Sequence, residues 1–184
     1  MPKLPLSPFL LDPNADLPVP EPRQAGCRHD APSQGRRGAM DLDAAELFVV
    51  ATLRAWVAPR MRPGEAHPDW RELFRIANVC APAAIAFDGL MSVIGAEAVR
   101  LIDVHCCSCP ALGDDEAAML RLVFALQSQA TLTALEVLGD WLPDHAVGPA
   151  LRAATRFARG MAEAGLLLPR RGEVVAFPAN RTLH

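Results

Sequence analysis

From Asp41 onward, apolar residues return every three or four positions, which is the period of an α-helix. Leu42, Ala45, Val49, Leu53 and Trp56 fall on one face, with Asp41 or Asp43 placed to cap the start. Pro59 and Pro63 predict the end of this first helix, and MRPGEAHP reads as a turn. Asp69 then caps a second helix whose stripe is Leu73, Phe74, Ala77, Cys80 and Ala81, kinked or restarted at Pro82 and continuing towards Gly95.

The stretch VRLIDVH, residues 99–105, is β-branched and short, and fits either an extended connector or the end of a helix. Past the loop HCCSCPALG, the acids Asp114, Asp115 and Glu116 open a third helix, at the positive end of its dipole. It runs to about Gly139 and is apolar on two sides, so it is predicted to be the central helix of the core. After WLPDHAVGP a fourth helix runs from about Val147 to Leu167 on the face Leu151, Ala154, Ala158, Met161 and Ala162. With no βαβ alternation, the pattern predicts an all-α fold: a bundle of four to five helices joined by short loops.

This pattern also divides the chain. Residues 1–40 are dense in Pro and Gly and show neither period, so they predict a disordered arm; Met40, just before the first helix, is an alternative start to Met1. Cys27 and His29 lie in that arm and are read as inert. Residues 41–169 form the helical domain, and residues 170–184 a tail in which Val174 to Phe177 could pack as a short extended segment.

Composition narrows the function classes. With 184 residues, 51% of them hydrophobic, there is enough chain for one ordinary core. A net charge of -3 speaks against coating nucleic acid, which needs a basic excess or a basic face. The proline-broken amino terminus does not read as a secretory signal, and apolar runs of about 12 residues fall short of the roughly 20 needed to span a bilayer. A soluble, cytoplasmic protein without a membrane partner is expected, and its five cysteines should be largely reduced there.

Those cysteines carry the candidate chemistry, because three fall within His105 to Pro110, HCCSCP. Zinc takes four ligands in a tetrahedron. His105, Cys107 and Cys109 would supply three of them, while the side chain of Cys106, adjoining Cys107, points elsewhere. Cys80 is the candidate fourth. A helix from Cys80 to Gly95 covers about 23 Å, and the ten residues after it, if extended, return about 33 Å, so reach is not the obstacle. Cys80 also reads as a plain core residue of its helix stripe. The same cluster fits a thiol redox site, although a disulfide between adjacent Cys106 and Cys107 would be strained, and the three acids that follow oppose a thiolate. Packing within an inert polar loop is the plainest reading.

Other groups add little. Arg152, Arg156 and Arg159 line one face of the fourth helix and read as its solvated side. Asp88, inside IAFDGLM, needs a partner if buried, with His105 or Arg75 as candidates; Asp103 is the other acid near the loop. Phosphate-loop, GxSxG, HExxH and EF-hand patterns are missing. The favoured expectation is a non-enzymatic helical module that binds another protein and holds one zinc at the HCCSC loop. The alternatives are a thiol-based redox sensor or enzyme, and a helical DNA-binding regulator reading through the fourth helix.

Overall fold

A computed structural model of the chain describes residues 38–170. The arm and tail readings, with Cys27, His29 and Val174 to Phe177, fall outside those residues. After a short 3-10 turn at Ala39–Asp41 come six α-helices: α1 (Ala44–Met61), α2 (Trp70–Ile76), α3 (Ala81–Glu97), α4 (Asp114–Gln127), α5 (Thr131–Trp141) and α6 (Asp144–Glu163). The all-helical class is as expected from the periodicity, but the helix count is higher, because two long segments each break in two.

Both breaks have the same cause. At the end of α2, Asn78 takes a left-handed conformation (φ 53°), and the Val79 N–H closes back on the Phe74 carbonyl at 2.9 Å. At the end of α4, Gln129 does likewise (φ 61°), with the Ala130 N–H on the Ala125 carbonyl at 2.8 Å. These are Schellman caps, the same motif that ends α6 at Gly165 (φ 81°). The usual glycine is absent at two of the three; Asn78, with Pro82 following, still marks the first break, whereas Gln129 gives no such signal at the second. Pro82 falls in the first turn of α3, where its fixed φ suits a helix start rather than a kink.

Gln129 is exposed and bears the steric cost that a side chain has in the left-handed region. Gln129→Gly is therefore expected to stabilise the fold by about 1 kcal/mol, read as a rise of roughly 2–4 °C in a thermal melt.

Pro59 and Pro63 were expected to close the first helix; α1 runs through Pro59 and ends at Met61, ahead of Pro63. In that last turn the Arg60 guanidinium donates to the Trp56 carbonyl (2.8 Å) and lies over the Trp56 ring, which fastens the turn that follows the proline. Residues 99–113 form an extended connector, touched by one antiparallel bridge between Gly38 and Ala111.

The third predicted helix is not the central one. Its second half, α5, leaves Leu132 exposed, and α6 packs against α3, α4 and α5 instead. Small residues make that possible: Ala150, Ala154, Ala158 and Gly160 are buried on α6, and a Cβ at Gly160 would come within 2.4 Å of the Ala83 Cβ on α3. Contacts at both ends, Gly160 beside Ala83 and His145 beside Glu97 (3.3 Å), run α6 antiparallel to α3. Phe48, Phe74, Phe87 and Phe157 meet in one aromatic cluster, extended by Trp70. No helix among the described residues is long and apolar enough to cross a membrane.

Candidate functional site

The HCCSCP loop is built by residues far from it in the chain. Arg54, on the inner face of α1, is 4% exposed, and Glu116, in the first turn of α4, is fully buried. Their guanidinium and carboxylate pair side by side at 2.7 and 2.8 Å. The remaining Arg54 donors reach the carbonyls of Cys109 and Ala111, both at 2.7 Å. Glu116 accepts in addition from the backbone N–H groups of His105 (3.1 Å) and Gly113 (2.8 Å). A buried ion pair is tolerable only when its lone pairs and protons are used in this way, and here the groups that use them belong to the loop.

A second network holds the connector before the loop. Asp115 accepts from Arg100 at 2.6 and 3.0 Å, from the Asp103 N–H at 2.8 Å and from the Trp141 indole at 3.1 Å. Arg100 also bonds Asp140. The three acids were read as a dipole feature that would oppose a thiolate, but two of them are neutralised by arginines. The Arg100 hydrogen bonds hold the Asp115 carboxyl below the usual carboxylate range. A depressed carboxylate contributes stability that is complete above its unfolded-state value near pH 4 and is lost as pH falls through the folded value. Asp115→Asn is expected to flatten the stability profile below about pH 4, as measured by urea midpoints across an acid series.

Within the loop, the Cys109 N–H bonds the Cys106 carbonyl at 3.0 Å, closing a tight turn. Cys107 sits exposed at the tip of that turn, while Cys109 is turned inward at 2% exposure. The Cys109 sulfur lies 3.5 Å from His105 Nδ1. That nitrogen is also 3.1 Å from the Ala111 carbonyl, which can only accept, so Nδ1 carries its proton towards Ala111. Cys109 therefore faces an N–H rather than a basic lone pair. Cys106 is disulfide-bonded, against the expectation of reduced cysteines, and Cys80, Cys107 and Cys109 are free.

The four proposed zinc ligands do not converge. Cys80 is the exposed N-cap of α3, with its sulfur beside Gly160 of α6, whereas the loop is fastened by Arg54 of α1 and Glu116 of α4. Cys107 and Cys109 point to opposite sides of their turn. Among the described residues no group of three or more His, Cys, Asp or Glu is placed to hold a metal ion.

Asp88 has neither expected partner. Its Oδ1 accepts from the Trp56 indole at 2.7 Å, and Arg75 pairs with Glu72. Asp88 instead belongs to a groove of about 450 Å³ between α2 and α3, lined by Trp70, Phe74, Val79 and Ile85 with Arg71 and Arg75. Ile85 is 74% exposed on its wall. The Arg71 guanidinium lies 4.3 Å from the Trp70 ring centroid and pairs with no carboxylate among the described residues. On α6, Arg152, Arg156 and Arg159 are exposed as expected for a solvated face, and Arg159 pairs with Glu163 at 2.8 Å.

Comparison with family models, curated proteins and solved structures found no match to this chain. Sequence reasoning missed Arg54 and the α2–α3 groove. The available signal for Arg54 was an arginine one position after Leu53 of the inward stripe; for the groove, it was Ile85, an isoleucine that falls off the stripe of its helix.

Proposed function

We propose that this chain is a non-enzymatic protein-binding module that takes an apolar, acid-bearing segment of a partner protein into the α2–α3 groove. The observation that carries this reading is the groove wall itself. Ile85, 74% exposed, offers apolar surface over a floor of the buried Trp70, Phe74 and Val79, beside Arg71, a cation stacked on an aromatic ring and left without a carboxylate partner among the described residues. An aromatic and apolar wall with one oriented cation matches the composition of interface anchors, where tryptophan and arginine are enriched. Apolar side chains of the segment would fill the cavity, and its acid would pair with Arg71. The described residues supply no zinc ligand set, and the proposal does without one.

Selection from a random peptide library displayed on phage tests it. Recovered peptides should combine apolar residues with an acid and bind with micromolar affinity or better. Ile85→Asp, at an exposed position that the fold does not need, should abolish binding, and Arg71→Ala should weaken it about tenfold, both with unchanged melting temperature. Peptides that bind Ile85→Asp as well as the parent, or a library that yields none, would overturn the proposal.

A further inference from the structure

The groove between α2 and α3 carries two charges of opposite sign, and a tryptophan orients each of them. On α2 the Arg71 guanidinium lies 4.3 Å from the Trp70 ring centroid. The neighbouring carboxylate, Glu72, is taken by Arg75, which leaves Arg71 without an acid among the described residues. On α3 Asp88 is half-buried, and its Oδ1 accepts from the Trp56 indole at 2.7 Å. Arg60, the cation stacked on that indole, donates to the Trp56 carbonyl, and Asp88 pairs with no arginine or histidine among the described residues. We infer that Asp88 is a specificity-determining residue of the groove: it takes a basic residue of the same partner segment whose acid meets Arg71, so that the segment binds in one direction only, an assignment that rests on the groove being the docking site proposed above.

The chemistry of the two partners of Asp88 supports this. An indole N–H is a neutral donor, so it fixes the carboxylate and uses one lone pair while leaving the negative charge uncompensated and Oδ2 able to accept. A carboxylate held in place beside apolar surface attracts a cation more strongly than one moving freely in water, because the local dielectric is lower and less side-chain freedom is lost on pairing. Ile85 and Asp88 are three residues apart, so one turn of α3 presents the exposed apolar anchor and the acid on the same face. Arg71 stands on the other helix.

A segment laid across both helices therefore meets a cation at one point and an anion at another. Turned end for end, it would bring its acid to Asp88 and its base to Arg71. Two like-charge contacts replace two matched ones, and such mismatches are a general means by which an interface fixes register and rejects wrong partners. The apolar floor of Trp70, Phe74 and Val79 has no means of telling the two directions apart.

Titration calorimetry with peptides selected on the full chain tests the assignment. Peptides that bind the parent and fail on Ile85→Asp should carry a lysine or arginine at a constant spacing from their acid. Asp88→Asn keeps an amide oxygen for the Trp56 indole and removes only the charge, so its melting temperature should be unchanged. It should weaken such a peptide about fivefold at low salt, and less at high salt. Replacing the base of the peptide by glutamine should do the same, and the two changes together should cost no more than either alone. On the parent chain, exchanging the acid and base within the peptide should weaken binding at least tenfold, a readout that needs no protein variant. Peptides that depend on Ile85 yet share no base, bind Asp88→Asn as tightly as the parent, or tolerate the exchange would overturn the role of Asp88 and leave the groove reading standing. Losses that add in full would overturn it as well, since the base then lies away from Asp88. A library that yields no peptide, or only peptides indifferent to Ile85→Asp, overturns both.

Discussion

Arg54→Met is expected to destabilise the fold by about 3–5 kcal/mol, a fall of roughly 10–15 °C in melting temperature, because it leaves the Glu116 carboxylate charged, buried and without its cation. The guanidinium is 4% exposed and Glu116 is fully buried, so water cannot replace the lost partner. Two loop carbonyls, those of Cys109 and Ala111, lose their donor as well. The effect should change little between low and high salt, since a pair at this depth is poorly screened. Arg54→Met combined with Glu116→Leu should recover a large part of the loss, because replacing both charges removes the burial penalty that breaking one exposes. A double variant no more stable than Arg54→Met alone would show that the cost lies in the carbonyls rather than in the orphaned carboxylate. In both variants Cys109 should react faster with a maleimide, because its carbonyl anchor is gone.

Phe157→Ala is the second large effect, at about 3–5 kcal/mol, from the removal of a fully buried ring and the cavity left behind. The Phe157 ring lies 5.1 Å from that of Phe87, 6.0 Å from Phe74 and 6.5 Å from Phe48, centre to centre, so one truncation unpacks α6 from α1, α2 and α3 together. Thermal or urea unfolding measures the loss. Phe74 also lines the α2–α3 groove, so the same change should weaken peptide binding along with stability. Ile85→Asp differs in affecting binding alone, which separates a damaged groove from a damaged core.

The helical class was legible because burial of one face imposes a period of 3.6 on the residues that supply it, and that period survives without knowledge of what lies opposite. A restart at Pro82 was legible, and Asn78 suits the left-handed end of α2; the end of α4 was not legible. Gln129 stops its helix in a conformation that glycine adopts at little cost, and the surrounding packing covers a penalty that no local rule anticipates. The centre of the bundle was misplaced for a related reason. Apolar bulk pointed to residues 114–139, whereas the helix with most neighbours is the alanine-rich α6, since close approach depends on how little a side chain protrudes.

The candidate site shows the same division. Its chemistry was visible as three cysteines and a histidine in six residues, but their directions were not. A turn closed between Cys106 and Cys109 leaves Cys107 exposed and Cys109 buried, and Cys80 sits at the start of α3 beside Gly160 of α6. The sequence by itself determined that the chain would be helical, where most helices begin, and that its thiols would cluster in a connector, because these follow from local periodicity, capping and spacing. Only the tertiary structure decided that Arg54 and Glu116, 62 residues apart, would shape that connector, and that Trp70, Arg71 and Ile85 would face a common groove. Such pairings depend on which helix faces cross, and no period within one helix encodes its partner.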